Sequence, residues 1–347
     1  MDKIKVLICD DSAMVRKILT LELRKDEAVE VIGAVPDPYA ARDKIVEQKP
    51  DVLLLDIEMP RMDGLTFLRK LMKHYPVRVI IVSSIAQAGS ETALTALEYG
   101  ALEVMCKPDA SYSIGDMSYD LISKIKAVAR IPEWRLQRII TGREERKTPA
   151  PAAAMLRTTN KIIAIGASTG GTDAIREVLV RMPFNCPPIA VVQHMPANFT
   201  KSFAERLNSL CQIKVKEAEN MEILAPGKAL IAPGNFHLAL ERSGAVYYAK
   251  IYDGPPVHHQ RPAVDNLFYS VAKTAGKNAI GALLTGMGRD GADGLLEMKK
   301  SGAHTVAQDE ATSVIFGMPG EAVKLGAAEK VLPITAITDE LLRVSNL

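Results

Sequence analysis

Short blocks of branched apolar residues recur along the beginning of the chain, separated by longer stretches whose apolar residues return every three or four positions. The blocks Ile4 to Cys9, Val29 to Val35, Val52 to Leu55, Val77 to Val82 and Ala101 to Cys106 read as strands. The stretches Ser12 to Leu23, Tyr39 to Gln48, Leu65 to Lys73 and Ser90 to Glu98 read as helices. Strands that are apolar throughout are buried on both faces, so these βα units predict a parallel sheet covered by helices on each side.

The pattern dissolves between Ile131 and about Asn160. Arg143-Glu-Glu-Arg-Lys147 is charged and Pro149-Ala-Pro-Ala-Ala-Ala154 is a tract of small residues with proline, which together predict a tether with a helical first part. Alternation then resumes. Ile162 to Ile165 predicts a strand, Asp173 to Met182 a helix, Ile189 to Val192 a strand and Thr200 to Leu210 a helix, with shorter strands near Ile213 and at Ala229 to Ala232. His237 to Leu240 and Val246 to Tyr252 flank the turn Glu241-Arg-Ser-Gly244 as a hairpin, and a helix over Val264 to Ala275 precedes the apolar run Ala279 to Leu284. The expected architecture is a (βα)5 domain over 1–125, a linker over 126–157, and a doubly wound, mostly parallel α/β domain with an antiparallel piece over 158–347.

Composition narrows the function classes. At 347 residues and 48% hydrophobic, the chain can bury two cores. Lys and Arg total 43 against 41 Asp and Glu, a net charge of +2, so no global field favours nucleic acid or an anionic surface. The basic residues of the tether are interleaved with acids, and no helix-turn-helix follows them. The four cysteines, Cys9, Cys106, Cys186 and Cys211, lie far apart without a C-x-x-C pair, which argues against a zinc site or a disulfide framework. No apolar run of ~18 residues occurs and the start lacks an apolar signal segment. The expectation is a cytoplasmic protein without membrane insertion.

Chemistry collects at the carboxyl ends of the first domain's strands, where a doubly wound sheet makes its functional edge. Asp10 and Asp11 follow the first strand, Asp56 the third, Ser83 closes the fourth, and Lys107-Pro108 follow the fifth. Clustered carboxylates repel one another without a cation, which points to a hard, oxygen-liganded ion such as Mg²⁺. Helix capping accounts for one or two such aspartates, but hardly for polar groups at every matched end. With Met59-Pro-Arg-Met-Asp63-Gly64 after the third strand, residues 1 to about 125 resemble the flavodoxin-like receiver domain of response regulators. That resemblance implies that Asp56 accepts a phosphoryl group from a histidine kinase. It also implies that Asp10, Asp11 and Asp56 hold Mg²⁺ and that Ser83 and Lys107 sense the phosphoryl oxygens. Three places before the lysine, where the family often has an aromatic residue, stands Val104.

In the second domain the run at Ile162 breaks into Gly166-Ala-Ser168-Thr-Gly170-Gly171, a strand-to-helix turn that satisfies G-x-S-x-G. A hydroxyl on such a turn suits a nucleophile, with amides at the helix start available to a developing oxyanion. The same turn also suits a bound anion, although a Walker lysine and a spaced G-x-G-x-x-G are absent. Serine requires a base. Among the six histidines, His194 follows the next strand and so shares the carboxyl edge with Ser168, while His258, in a proline-flanked loop, competes. The orienting carboxylate comes from Thr285-Gly-Met-Gly-Arg-Asp290-Gly-Ala-Asp293, where Asp290 and Asp293 are rivals. The order Ser, His, Asp departs from that of α/β-hydrolases.

Gly166-Ala-Ser168-Thr-Gly-Gly171, Gln193-His194-Met195-Pro196, Ala232-Pro-Gly234, His258-x-x-Arg-Pro-x-Val-Asp265 and Leu284-Thr-Gly-Met-Gly-x-Asp290-Gly resemble the motifs of the chemotaxis protein-glutamate methylesterases. This resemblance implies a triad of Ser168, His194 and Asp290, with oxyanion binding by the Met287 amide and Thr169. It implies γ-glutamyl methyl esters of chemoreceptors as substrate, deamidation of receptor glutamines as a related activity, and no cofactor for ester hydrolysis. The partners it implies are methyl-accepting chemoreceptors and the chemotaxis histidine kinase, and the receiver is expected to gate the active site.

Overall fold

The computed structural model describes residues 2–59, 62–83, 87–107, 114–144 and 160–346. Pro60, Pro108 and the proline and alanine tract of the expected tether lie outside these residues. The chain divides into two units, 1–146 and 147–347.

The first unit alternates β1 (Ile4–Cys9), α1 (Ala13–Leu23), β2 (Val29–Val35), α2 (Pro38–Gln48), β3 (Val52–Leu55), α3 (Gly64–His74), β4 (Arg78–Ser83), α4 (Gln87–Glu98), β5 (Glu103–Cys106) and α5 (Ile114–Ala129), followed by α6 (Glu133–Glu144). The strands form one parallel sheet in the order β2-β1-β3-β4-β5. As their unbroken apolar runs require, Leu7, Ile8, Leu53, Leu55, Ile80 and Ile81 are sealed from solvent. Ser12 caps α1, Asp37 caps α2 and Asp63 caps α3, each accepting a backbone N–H of the first turn. Residues 126–144 of the expected linker are largely helical. Here α5 runs on to Ala129, and α6 is fastened by Arg78, whose guanidinium donates to Ile131 O at 2.6 and 2.9 Å, and by the buried Leu136.

The second unit is built on β6 (Ile162–Ala167), α7 (Gly171–Val180), β7 (Ile189–Gln193), α8 (Phe199–Leu210), β8 (Lys214–Glu217), β9 (Glu222–Ile223), β10 (Lys228–Ile231), β11 (His237–Ser243), β12 (Val246–Tyr252), α9 (Val264–Ala275), β13 (Ala279–Leu283), α10 (Ala292–Lys300), β14 (His304–Gln308), α11 (Met318–Lys324), β15 (Lys330–Leu332) and α12 (Ile334–Ser345). Its main sheet is parallel and seven-stranded, β15-β14-β13-β6-β7-β10-β8, and the antiparallel piece is a three-stranded sheet, β11-β12-β9. The apolar stripe of α9, Val264, Leu267, Phe268 and Val271, is buried in one core with Ile162, Ala164 and Leu283 of the main sheet and Leu238 and Leu240 of the smaller one.

Both sheets reverse their winding direction at one place, between β1 and β3 in the first unit and between β13 and β6 in the second. Chain segments leave such a switch point in opposite directions and open a crevice at the carboxyl ends of its strands. The chemistry-bearing residues of each unit lie there.

Candidate active site

At the first switch point, ligand oxygens of Asp10, Asp11 and Asp56 all lie within 4.8 Å of one another. Asp10 and Asp56 are buried, and neither caps a helix, since Ser12 and Asp63 do so. Arg16 holds the acidic turn by donating to Asp10 O at 2.8 Å and Asp11 O at 2.9 Å, a role that sequence reading missed. The Lys107 ammonium donates to Asp56 Oδ2 at 2.7 Å and lies 3.2 Å from Asp10 Oδ2. The second contact is electrostatic only, because Asp10 Oδ2 is buried without a hydrogen-bond partner. Burial pushes the Asp56 carboxyl up to about 6 against the opposing pull of Lys107. Burial pulls the Lys107 ammonium down, but Asp56 and Asp10 outweigh it and hold the group above its ordinary range. An orphaned oxygen among clustered carboxylates fits a hard divalent cation such as Mg²⁺, which would supply the missing positive charge. Ser83 is buried at the end of β4, where its carbonyl accepts the Lys107 N–H at 2.8 Å.

At the second switch point, β6 and β7 pair with Ala167 opposite Gln193, so Ser168 and His194 are the next residues off two adjacent parallel strands. The His194 N–H donates to Ala167 O at 3.1 Å and keeps the two ends in register. Asp290 reaches the same edge from the loop after β13, and its Oδ2 lies 2.7 Å from His194 Nε2. Two more donors fix that carboxylate: the Val264 N–H to Oδ2 at 2.7 Å and the Asp265 N–H to Oδ1 at 3.0 Å. Burial alone would push the Asp290 carboxyl up, yet the His194 hydrogen bond and these two amides hold it below the ordinary carboxylate range.

An ionised carboxylate only accepts hydrogen bonds, so Nε2 of His194 carries the proton and Nδ1 presents a lone pair. That Nδ1 is buried without a hydrogen-bond partner. A bare imidazole nitrogen on the same sheet edge as a serine is what a general base needs. All three residues are buried: Asp290 is 2% exposed, Ser168 7% and His194 8%. The rival carboxylate, Asp293, instead pairs with Arg289 at 2.6 Å on the first turn of α10. His258, the rival base, lies 3.2 Å from Asp265.

The Ser168 turn is tied from behind by residues that sequence reading did not single out. Thr285 O accepts the Ser168 N–H at 3.0 Å, and Thr285 Oγ1 donates to Thr169 O at 2.9 Å while accepting the Ile315 N–H at 3.0 Å. Gln193 Nε2 donates to Ser168 O at 3.0 Å and to His194 O at 3.1 Å, which links nucleophile and base through one amide. Gly170 has φ +76°, and a Cβ there would meet Val314 at 2.4 Å, so the turn accepts only glycine. The Ser168 and Gly171 amides are committed to Thr285 O and Ser168 O. Among the described residues, the Thr169 and Met287 amides donate to no group. Met287 is held close by Gly286, where a Cβ would lie 2.7 Å from that of Ser168. A separate cavity of about 650 Å³ at the far end of α3, lined by Arg69, Lys73, His74 and Tyr99 among others, belongs to neither switch point.

Residues 163–341 match the family model described as CheB methylesterase. The chain belongs to the CheB methylesterase family. Residues 6–115 match the response regulator receiver domain, so this CheB-family chain carries a receiver in front of its methylesterase region. It is 58% identical over 346 residues, 99% of this chain and 100% of the relative, to a protein-glutamate methylesterase/protein-glutamine glutaminase of Syntrophus aciditrophicus. It is 51% identical over 343 residues, 98% of this chain and 97% of the relative, to one of Bdellovibrio bacteriovorus. The solved methylesterase catalytic domain of Thermotoga maritima CheB superposes with a TM-score of 0.52 at 40% identity, covering 53% of this chain and 98% of that domain. The expected fold class, two α/β units with a receiver first, is borne out.

Proposed function

We propose that this chain hydrolyses glutamate γ-methyl esters on the cytoplasmic helices of methyl-accepting chemoreceptors, releasing methanol, and deamidates specific receptor glutamines by the same chemistry. The observation that carries the reading is the unpartnered Nδ1 of His194, one residue past the strand paired with that of Ser168, with the opposite ring nitrogen 2.7 Å from Asp290.

Ser168 Oγ attacks the ester carbonyl as His194 Nδ1 takes its proton, and Asp290 stabilises the resulting imidazolium. The oxyanion is met by the Met287 N–H and by Thr169, whose amides donate to no group among the described residues. His194 then returns the proton to the departing methoxide, which leaves as methanol. Water, deprotonated by His194, releases glutamate from the acyl-enzyme. For a glutamine substrate the leaving group is ammonia.

The receiver controls this reaction. A histidine kinase transfers a phosphoryl group to Asp56; Asp10, Asp11 and Asp56 would hold Mg²⁺, which would supply positive charge to offset that of the phosphoryl oxygens, and the resulting acyl phosphate, at roughly −2 in place of the carboxylate's −1, redirects Lys107 and Ser83. We place the division at 1–125 for the receiver and 158–347 for the catalytic part, in the cytoplasm. Among the described residues no helix is long and apolar enough to cross a membrane.

The test is methanol release from methylated receptor membranes. Wild type is expected to release it, faster once Asp56 is phosphorylated, and Ser168→Ala is expected to release none while remaining folded. Turnover by the Ser168→Ala protein would overturn the assignment. Activity on generic esters but not on receptor membranes would retain the triad and discard the substrate.

A further inference from the structure

Behind the triad lies a second buried carboxylate that the mechanism leaves unused. Asp265, on the first turn of α9, is 2% exposed, and ligand-type atoms of His258, Asp265 and Asp290 all lie within 4.8 Å of one another. Its Oδ1 accepts the Gly294 N–H at 2.7 Å, and its Oδ2 lies 3.2 Å from His258 Nε2. Its own backbone N–H donates to Asp290 Oδ1. Every carboxylate oxygen of Asp265 and Asp290 thus has a hydrogen-bond partner, so the cluster is a connected polar network. It repeats, one step further from the serine, the pairing of imidazole with carboxylate found between His194 and Asp290.

We propose that Asp265 and His258 are positioning residues: a second imidazole–carboxylate couple that acts on His194 through Asp290 and sets the acid limit of the proposed esterase reaction. Two carboxylates this close repel, so each ionises at the other's expense unless a cation intervenes. His258, whose side chain is 36% exposed, is the solvent-facing member of the couple and lies 3.2 Å from the Asp265 carboxylate. The other charged or titratable groups facing Asp265 are Asp290 and Arg289 on the loop after β13, Asp293 on α10 and Tyr269 one turn along α9. Asp293 is already paired with Arg289. Burial, and then the charge of Asp290, push the Asp265 carboxyl up to about 6, so its charge changes within a range that matters to an imidazole base. A negative Asp265 adds to the field of Asp290 and favours the imidazolium form of His194. A neutral Asp265 removes that contribution and leaves His194 unprotonated, and active, at lower pH.

The inference rests on the Ser168 and His194 reading, and the experiment separates the two. The rate at which a serine-directed phosphonate inactivates the full-length protein is followed against pH for wild type, Asp265→Asn, His258→Asn and the double variant. Asparagine can still accept the Gly294 N–H. The acid limb of Asp265→Asn is expected to move down by about one pH unit, the shift that a unit charge ~10 Å away produces at an effective dielectric of ~20, while the plateau rate stays within a few-fold. His258→Asn is expected to move the limb in the wild-type background and much less in the Asp265→Asn background, the non-additivity of a shared network. An unmoved limb in both single variants, or a uniform loss of rate at every pH, would overturn the inference and make the couple merely structural. If Asp265→Asn does not fold, the limb in His258→Asn alone decides in the same way. Should wild type itself fail to react with the phosphonate at any pH, the esterase reading falls, and not this inference alone.

Discussion

Asp290→Asn is the substitution whose consequence can be worked furthest. The amide keeps one oxygen to accept the Val264 or Asp265 N–H, so the loop after β13 retains its anchor. What disappears is an anion 2.7 Å from His194 Nε2. With an amide there, the Nε2–H loses its charged acceptor and the tautomer that leaves Nδ1 bare is no longer favoured. The imidazolium formed during attack loses its counter-ion as well. Two unit charges ~4 Å apart at an effective dielectric of ~20 interact by about 4 kcal/mol, which corresponds to ~10³ in rate. The expected result is a fall of about 10³ in kcat for methanol release, with KM changed less than about threefold and urea unfolding within about 2 kcal/mol of wild type. The assay is methanol release from methylated receptor membranes against pH, with Ser168→Ala as the zero. A kcat within tenfold of wild type and an unchanged pH profile would refute the argument that Asp290 selects the tautomer.

Thr285→Val removes the hydroxyl that joins Thr169 O to the Ile315 N–H. It should lower kcat about tenfold and stability by about 1–3 kcal/mol, with Thr285→Ser restoring both, as read by methanol release and urea unfolding. In metal-free buffer, burial raises the folded Asp56 pKa to about 6 above an unfolded value near 3.8. The favourable contribution of its protonated form is therefore full below 3.8 and lost as pH rises through about 6. Asp56→Asn should raise the urea midpoint at pH 7, by about 2 kcal/mol of stability, with the gain vanishing below about pH 4; a midpoint gain of equal size at both pH values would contradict this. Glu340 behaves oppositely. Its hydrogen bond with Arg343 outweighs burial and, together with Lys330, lowers it to about 2, so its contribution is present above about 4.5 and disappears as pH falls through about 2. Glu340→Gln should cost about 1–2 kcal/mol at pH 7 after allowing for the half-exposed Arg343, and little at pH 2.

Strand ends were the most legible feature of this chain. Apolar runs such as Val52–Leu55 and Ile162–Ala167 suit buried parallel strands, and the polar residues just past each strand end are where a doubly wound sheet displays its chemistry. That is why Asp56, Ser168 and His194 were nameable before any coordinates. Choosing between Asp290 and Asp293 was beyond spacing alone, because both follow β13 in a glycine-rich loop. The difference is tertiary: the start of α9 aims the Val264 and Asp265 amides at Asp290, while Arg289 takes Asp293. Thr285 and Gln193 escaped notice for a related reason. Each makes its decisive bonds to backbone atoms of a distant turn, and the identity of a residue carries no mark of which carbonyl it will reach. The short or amphipathic elements β9, β15 and α12 were missed because two- and three-residue strands carry no period and α12 follows directly on a proline.

The most direct measurement is the site at which a serine-directed phosphonate becomes attached, read by peptide mass in the wild-type and His194→Ala proteins. The adduct is expected on Ser168 in the wild type and nearly absent in His194→Ala, because the hydroxyl then has no acceptor for its proton. Equal labelling of Ser168 in both proteins, or an adduct on any other residue accompanied by full loss of methanol release, would contradict the proposed proton relay.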